Sequence, residues 1–139
     1  MLAYLRGHNP RGRRNPTPRP DFAVVRESKV VRLVDAKYRD LWELPLPREM
    51  LYQLAVYALS QPSGAEAIML YPTIGGHAVE SRIGVFDAAT GGQRAQIVQR
   101  PVDLLKLQEL VSARSSATSQ RARNAYAESL VFGNAASRS

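Results

Sequence analysis

Residues Arg19 to Tyr38 read RPDFAVVRESKVVRLVDAKY, and the fold turns on how this stretch is read. Two apolar, β-branched runs, Phe22 to Arg26 and Val30 to Ala36, flank a polar break at Glu27-Ser28-Lys29. That pattern predicts a β-hairpin. With the turn centred on Ser28, residues whose numbers sum to about 56 face each other, within one residue of slip. Asp21 and Asp35 are such a pair. Facing side chains on an antiparallel pair lie about 5 Å apart at Cβ. Asp35 and Lys37 are two apart on one strand and so point the same way. Two carboxylates and one ammonium are thereby expected on one patch, at the open end of the hairpin.

Like charges set opposite each other destabilise a sheet, so two carboxylates at that distance call for a cation. Mg²⁺ is held by one or two carboxylates together with substrate phosphate oxygens and water. Lys37 could then hold or deprotonate an attacking water, or stabilise charge developing on phosphate. A D-x-K tripeptide alone is more often a surface Asp with a Lys neighbour. Pro20-Asp21 at a matched hairpin distance shifts that balance, as does the apolar run that Asp35 ends.

Pro47 suits the first turn of a helix, which is expected to run to about Ser60 and to stop at Gln61-Pro62-Ser63-Gly64. Leu51, Leu54, Ala55 and Ala58 form its apolar stripe. Gln53 and Tyr57 are four apart and stack on one face. On spacing alone they fit a half-buried polar seam between helix and sheet. Beside the acids they also fit a phosphate or water ligand and its support. Trp42, in the connection 39–46, is expected to pack against the sheet. Further expectations are a buried strand at 66–72, strands at 78–86 and 94–100, a helix from Pro101 to Ala113, and a helix at 118–131. Together these elements imply a mixed α/β (α+β) core with helices covering the sheet.

The chain has 139 residues, enough for one domain with a real core. Residues 1–20 hold no acid, five arginines, four prolines and two glycines. They read as a basic, extended arm or linker. The core domain is expected over 21–133 and a disordered tail over 134–139. Net charge is +7, and 16 of the 19 basic residues are arginine. Arginine suits bidentate phosphate contact, and a basic surface is the footprint of a nucleic-acid binder. Arg11, Arg13, Arg14, Arg19 and Arg39 are the candidate DNA contacts. No cysteine is present, which excludes a disulfide framework and a thiolate metal site or nucleophile. His8 and His77 stand too far apart in the chain to suggest a shared zinc site. No apolar run of membrane-spanning length or secretory type occurs, so a cytoplasmic protein is expected. G-x-S-x-G and the P-loop are both absent, which argues against a serine hydrolase and against nucleotide hydrolysis by this chain.

Pro20-Asp21 followed by Asp35-Ala36-Lys37 resembles the PD-(D/E)xK nuclease superfamily, and Gln53 and Tyr57 resemble the Q-x-x-x-Y helix motif of several of its branches. DAKYR, YQLAVYA and the strand ending Leu70-Tyr71-Pro72 look most like the C-terminal nuclease domain of the McrC family, the nuclease subunits of McrBC-type, 5-methylcytosine-specific restriction systems. The resemblance covers roughly residues 18–73. It implies a restriction-endonuclease-like core: a mixed central sheet with an antiparallel hairpin and flanking helices. It implies Mg²⁺ (or Mn²⁺) held by Asp21, Asp35 and the Ala36 carbonyl, with Lys37, Gln53 and Tyr57 completing a catalytic site. The implied reaction is hydrolysis of a DNA phosphodiester in a bacterial cytoplasm. Implied partners are DNA, a GTP-hydrolysing ring subunit and a second copy of the chain for double-strand cutting. The family pattern also places a helix, often bearing another acid, before the first acidic strand, and residues 1–20 do not supply one. That departure opens the alternative of a non-catalytic DNA-binding module on a degenerate nuclease fold.

Overall fold

The computed structural model describes residues 2–16, 19–62 and 65–134. Strands β1 (Phe22–Arg26) and β2 (Lys29–Ala36) form the expected antiparallel hairpin. Its two turn residues, Glu27 and Ser28, both carry positive φ, 49° and 62°. Positive φ at both positions marks a type I′ turn, whose twist suits a hairpin, built here without glycine. Next to the turn the partners are Val25↔Val30 and Arg26↔Lys29, whereas further out they are Phe22↔Val34, Ala23↔Leu33 and Val24↔Arg32. Val31 is the extra residue, a β-bulge. The turn is therefore centred half a residue before Ser28, and the bulge restores the expected register at the open end.

Helix α1 (Arg48–Leu59) follows, and then β3 (Glu66–Thr73), which pairs parallel with β2. β3 is the central strand, and its run EAIMLYPT is apolar because both faces are covered. Strand β4 (Ser81–Phe86) turns back into β5 (Gln93–Asp103), which inserts parallel to β3. The result is a five-stranded mixed sheet in the order β1-β2-β3-β5-β4. Helices α2 (Leu104–Ser112) and α3 (Ala117–Phe132) complete the described chain, making this a mixed α/β fold with three helices.

Four expectations need correcting. Residues 78–80 lie outside β4, which begins at Ser81. Pro101 does not open a helix; it continues β5 opposite Tyr71. Its missing N–H is tolerated because the β4 ladder has ended at Ser81↔Gln99, leaving β5 with one neighbour there. The helix starts instead after Asp103, whose carboxylate caps the Leu105 and Lys106 amides. Leu41, not Trp42, enters the core; Trp42 is half-exposed, edge-on to His77 at 5.9 Å. Finally, the arm is not extended. Tyr4 N donates to Asn15 Oδ1 (3.1 Å), and Asn9 brackets Arg13 with bonds of 2.7 and 2.9 Å. Gly7 and Gly12, at φ 77° and 56°, allow the turns that loop it back. The tail expected at 134–139 lies, beyond Asn134, outside the described residues.

α1 covers one face of the sheet. Leu54, Tyr57 and Ala58 pack there on Ala67, Met69, Tyr71, Ala95 and Ile97, joined by Leu41. Full burial of such an apolar side chain stabilises by about 1.5–3 kcal/mol, so this cluster dominates the fold. The opposite face has a smaller core of Val34, Ile68 and Val98, flanked by Val24 and Leu70. α3 reaches that face at its C-terminal end, where Arg26 and Arg32 lie 5.6 and 5.8 Å over the Phe132 ring.

Candidate active site at the open end of the hairpin

Side chains alternate along β2, so Leu33 and Asp35 share the α1 face while Val34 enters the other core. Asp35 is only 2% exposed. One step past the strand, Lys37 N donates to Leu70 O at 2.9 Å, which keeps the ladder geometry and turns Lys37 to the same side. Its ammonium closes an ion pair on Asp35 Oδ2. No other hydrogen-bond donor in the described structure satisfies this buried oxygen. The pairing holds the Lys37 pKa above the ordinary lysine value, against the opposing effect of burial; the charges of Asp35, Asp21 and Tyr57 add to it. Lys37 is therefore a cation here.

Asp21 stands one residue outside β1. Its Oδ2 accepts from Ala36 N at 2.8 Å. This bond takes the place of a β1–β2 ladder bond where β1 has ended, and it fixes Asp21 against the residue between Asp35 and Lys37. The register count around Ser28 thus brings the two acids to the same end of the sheet.

α1 supplies the third side. Tyr57 is 2% exposed, and Gln53 Nε2 donates to its hydroxyl at 2.7 Å. Burial raises the Tyr57 pKa most. Asp35 and Asp21 push the same way, while the Gln53 bond and Lys37 oppose. The hydroxyl stays protonated and lies within electrostatic reach of Asp35, Lys37 and Asp21. Gln53 is one bond further out, as the group that orients Tyr57. Of the two sequence readings of this pair, the polar seam is what the geometry shows; the expected order of roles, Gln53 as the ligand and Tyr57 as its support, is reversed, because the Gln53 amide is engaged by the Tyr57 hydroxyl.

Arg11, Arg13, Arg14, Arg19 and Arg39 are exposed. Arg19 and Arg39 flank the acids in the chain, two residues before Asp21 and two after Lys37. Arg11, Arg13 and Arg14 belong to the looped arm.

The acids offer hard oxygen donors suited to Mg²⁺ or Mn²⁺. Among the described residues no group of three or more His, Cys, Asp or Glu side chains is placed to hold a metal. The donor set is therefore two carboxylates with the Ala36 peptide oxygen as a third candidate.

Sequence reading missed a charged network on the opposite face. Arg32 Nε lies 3.3 Å from Glu66 Oε2, and Arg82 Nη1 3.3 Å from Glu66 Oε1. Arg82 Nη2 and Arg100 Nε each meet Glu80 at 2.6 Å. The available signal was period two: Arg32, Glu66, Arg82 and Arg100 each interrupt an apolar strand at the position facing away from α1.

No protein family, characterised protein or solved structure matches the chain. Among the described residues no helix is long and apolar enough to cross a membrane.

Proposed function

We propose that this protein is a metal-dependent DNA endonuclease of the PD-(D/E)xK type, with a restriction-endonuclease-like core and the nuclease role of a McrBC-like restriction system. One observation carries the reading. Among the described residues a buried carboxylate (Asp35) has its ion pair with Lys37, and a second carboxylate (Asp21) is clasped to the peptide between them. A buried charge is costly unless it is matched, and an ion pair replaced by apolar groups is often as stable or more so. Stability alone gives little reason to place two acids and a lysine at this edge.

Asp21, Asp35 and the Ala36 carbonyl would hold the Mg²⁺ or Mn²⁺. When bound, such an ion lowers the pKa of its water and neutralises charge on phosphate. The chain's own residues do the rest. Lys37, held as an ammonium, donates to a phosphate oxygen as charge builds there. Its raised pKa suits that role better than proton abstraction. Tyr57 presents a protonated hydroxyl to the same centre, and Gln53 holds it in position. Arg19 and Arg39 steer the backbone of DNA toward the acids, and the arm's arginines extend the positive field. Two active sites are needed to cut both strands, which a second copy of the chain would provide. The GTP-hydrolysing ring subunit is proposed on the same resemblance.

The test is cleavage of supercoiled plasmid with Mg²⁺ or Mn²⁺ against an EDTA control. Linear or nicked product only with metal supports the reading, and none with either ion defeats it. A second reading rests on a specific observation. Lys37 already sits on the Asp35 oxygen, and among the described residues no third acid joins the pair. A DNA-binding module on a degenerate nuclease fold would bind DNA with equal affinity in EDTA and never cut it.

A further inference from the structure

The sheet face opposite Asp35 carries a second feature. Between the C-terminal ends of β3 and β5 and helix α3 lies a cleft of about 380 Å³, lined among others by Thr73, Gly76, Arg100, Lys106, Tyr126 and Ser129. Its volume falls in the range of about 300–1,000 Å³ typical of small-molecule sites.

Arg100 is 5% exposed and is held on two sides. Nε donates to Glu80 Oε2 at 2.6 Å and Nη1 to Leu130 O at 2.5 Å. Nη2 is buried and has no acceptor. A buried donor on a charged group without a partner is costly and uncommon. The two bonds prevent the guanidinium from turning to satisfy it. A second cation, Lys106, stands at the same cleft with its ammonium 4.8 Å from the Tyr126 ring centroid. The acids nearby are already engaged. Glu80 is bonded by Arg82 and Arg100, and Asp103 caps the Leu105 and Lys106 amides at 3.0 and 3.1 Å. An anion entering the cleft thus meets Arg100 and Lys106, with the Glu80 carboxylate paired by Arg82 and Arg100 and the Asp103 carboxylate turned onto backbone amides.

We propose that this cleft is a phosphate-binding site, in which Arg100 Nη2 and Lys106 grip a phosphate and Tyr126 bounds the group that carries it. The remaining volume fits a nucleoside-sized moiety. Such a phosphate comes either from a small nucleotide or from a nucleic-acid end, and both present the same oxygens.

Binding is measured by titration calorimetry in EDTA, which removes any contribution from metal at the Asp35 site and makes the result independent of nuclease activity. The probes are inorganic phosphate, adenosine 5′-monophosphate and a 5′-phosphorylated octadeoxynucleotide, each with its unphosphorylated counterpart where one exists. At least one phosphorylated probe is expected to saturate one site, with its unphosphorylated counterpart at least tenfold weaker. A response to the mononucleotide identifies a small-ligand pocket, and a response to the oligonucleotide alone identifies a nucleic-acid end. Lys106→Glu and Arg100→Lys are each expected to weaken binding at least tenfold, and Lys29→Glu, an equal charge change at the exposed hairpin turn, to leave it unchanged. Arg100→Lys keeps a cation for Glu80, and circular dichroism checks its fold. If it does not fold, the rim variant Lys106→Glu decides. Absence of saturable binding by every probe overturns the proposal. So does binding that Lys106→Glu leaves intact.

Discussion

The two faces of the sheet bury charge in opposite ways. On the α1 face, Asp35 and Lys37 form one ion pair at the rim of an apolar cluster of Leu54, Met69, Ile97 and their neighbours. On the α3 face, Arg32, Glu66, Arg82, Glu80 and Arg100 form a chain of pairs reaching from β2 across to β5. In the chain each carboxylate has two arginines, so losing one contact leaves another. In the isolated pair each charge depends on a single partner. The lesson is that a networked charge behaves as structure, whereas a lone buried pair at a sheet end is free to exchange its partner for a ligand.

The sharpest way to break this comparison is Asp35→Ala. On the nuclease reading it removes a metal ligand, and metal-dependent cleavage falls by at least about 10²–10³-fold, the loss typical when one electrostatic stabiliser is removed. DNA binding holds or strengthens, because a negative charge facing phosphate has gone. Lys37→Ala is expected to cost turnover to a similar extent, and Lys37→Arg to restore little, since a wide guanidinium does not replace a compact ammonium. Gel-based cleavage and filter binding on the same preparations decide it. An Asp35→Ala protein that cuts at the wild-type rate would falsify the assignment.

Glu80→Gln probes the other face. It leaves the buried Arg100 guanidinium without a counter-charge, and removing one partner of a buried pair costs about 3–5 kcal/mol. Because Glu80 is partly exposed, the lower end of that range is expected, read by denaturant unfolding. The pH dependence follows by sign. Burial raises the Glu80 pKa, but Arg100 and Arg82 outweigh it, so the folded value lies below the ordinary 4.5. The stabilisation is therefore complete above pH 4.5 and is lost as pH falls through the folded value. Glu80→Gln is expected to flatten that acid limb while leaving cleavage at neutral pH unchanged. A wild-type and variant pair with identical acid limbs would remove Glu80 from the network.

Tyr57→Phe tests whether a core residue also serves the site. It deletes the hydroxyl that accepts from Gln53, with the ring left in the core. Stability should change by no more than about 1 kcal/mol, the worth of one hydrogen bond. Cleavage should drop about tenfold if the hydroxyl faces the reacting phosphate. A purely structural seam would lose stability and keep turnover.

How much of this was readable beforehand differs between the faces. Two apolar, β-branched runs with a polar break between them located the hairpin, and simple register counting brought Asp21 to Asp35, because strand geometry is local. The spacing of Gln53 and Tyr57 placed them on one helix face for the same reason. On the opposite face the charges were readable strand by strand, but their meeting was not. Arg32, Glu66, Arg82 and Arg100 come from four strands, and only the order β1-β2-β3-β5-β4 brings them together. Pro101 misled because a helix start and an edge-released strand position both tolerate a missing N–H. Trp42 misled because size suggests burial, whereas the shorter Leu41 points inward.

The smallest expected effect comes from the turn that joins β1 to β2. Glu27 and Ser28 both occupy the left-handed region without glycine, at a cost of about 1 kcal/mol for each such residue. Replacing them together by Asn-Gly, the favoured type I′ pair, should stabilise the protein by about 1 kcal/mol, read as a rise in the unfolding midpoint. The informative control is cleavage. The Val31 bulge lies between the turn and the open end, and it resets the register that brings Asp21 to the Ala36 amide. A better turn therefore stabilises the hairpin without moving the acids, and turnover should not change. Deleting Val31 is the opposite experiment. It removes the bulge, carries the turn register through to Asp21, and shifts it by one residue relative to Asp35. A one-residue slip moves side chains to the other face of a sheet. If the deletion leaves both stability and cleavage intact, then Asp21 is not held by the hairpin register, and the contrast between a lone, exchangeable buried pair and a structural network loses its geometric basis.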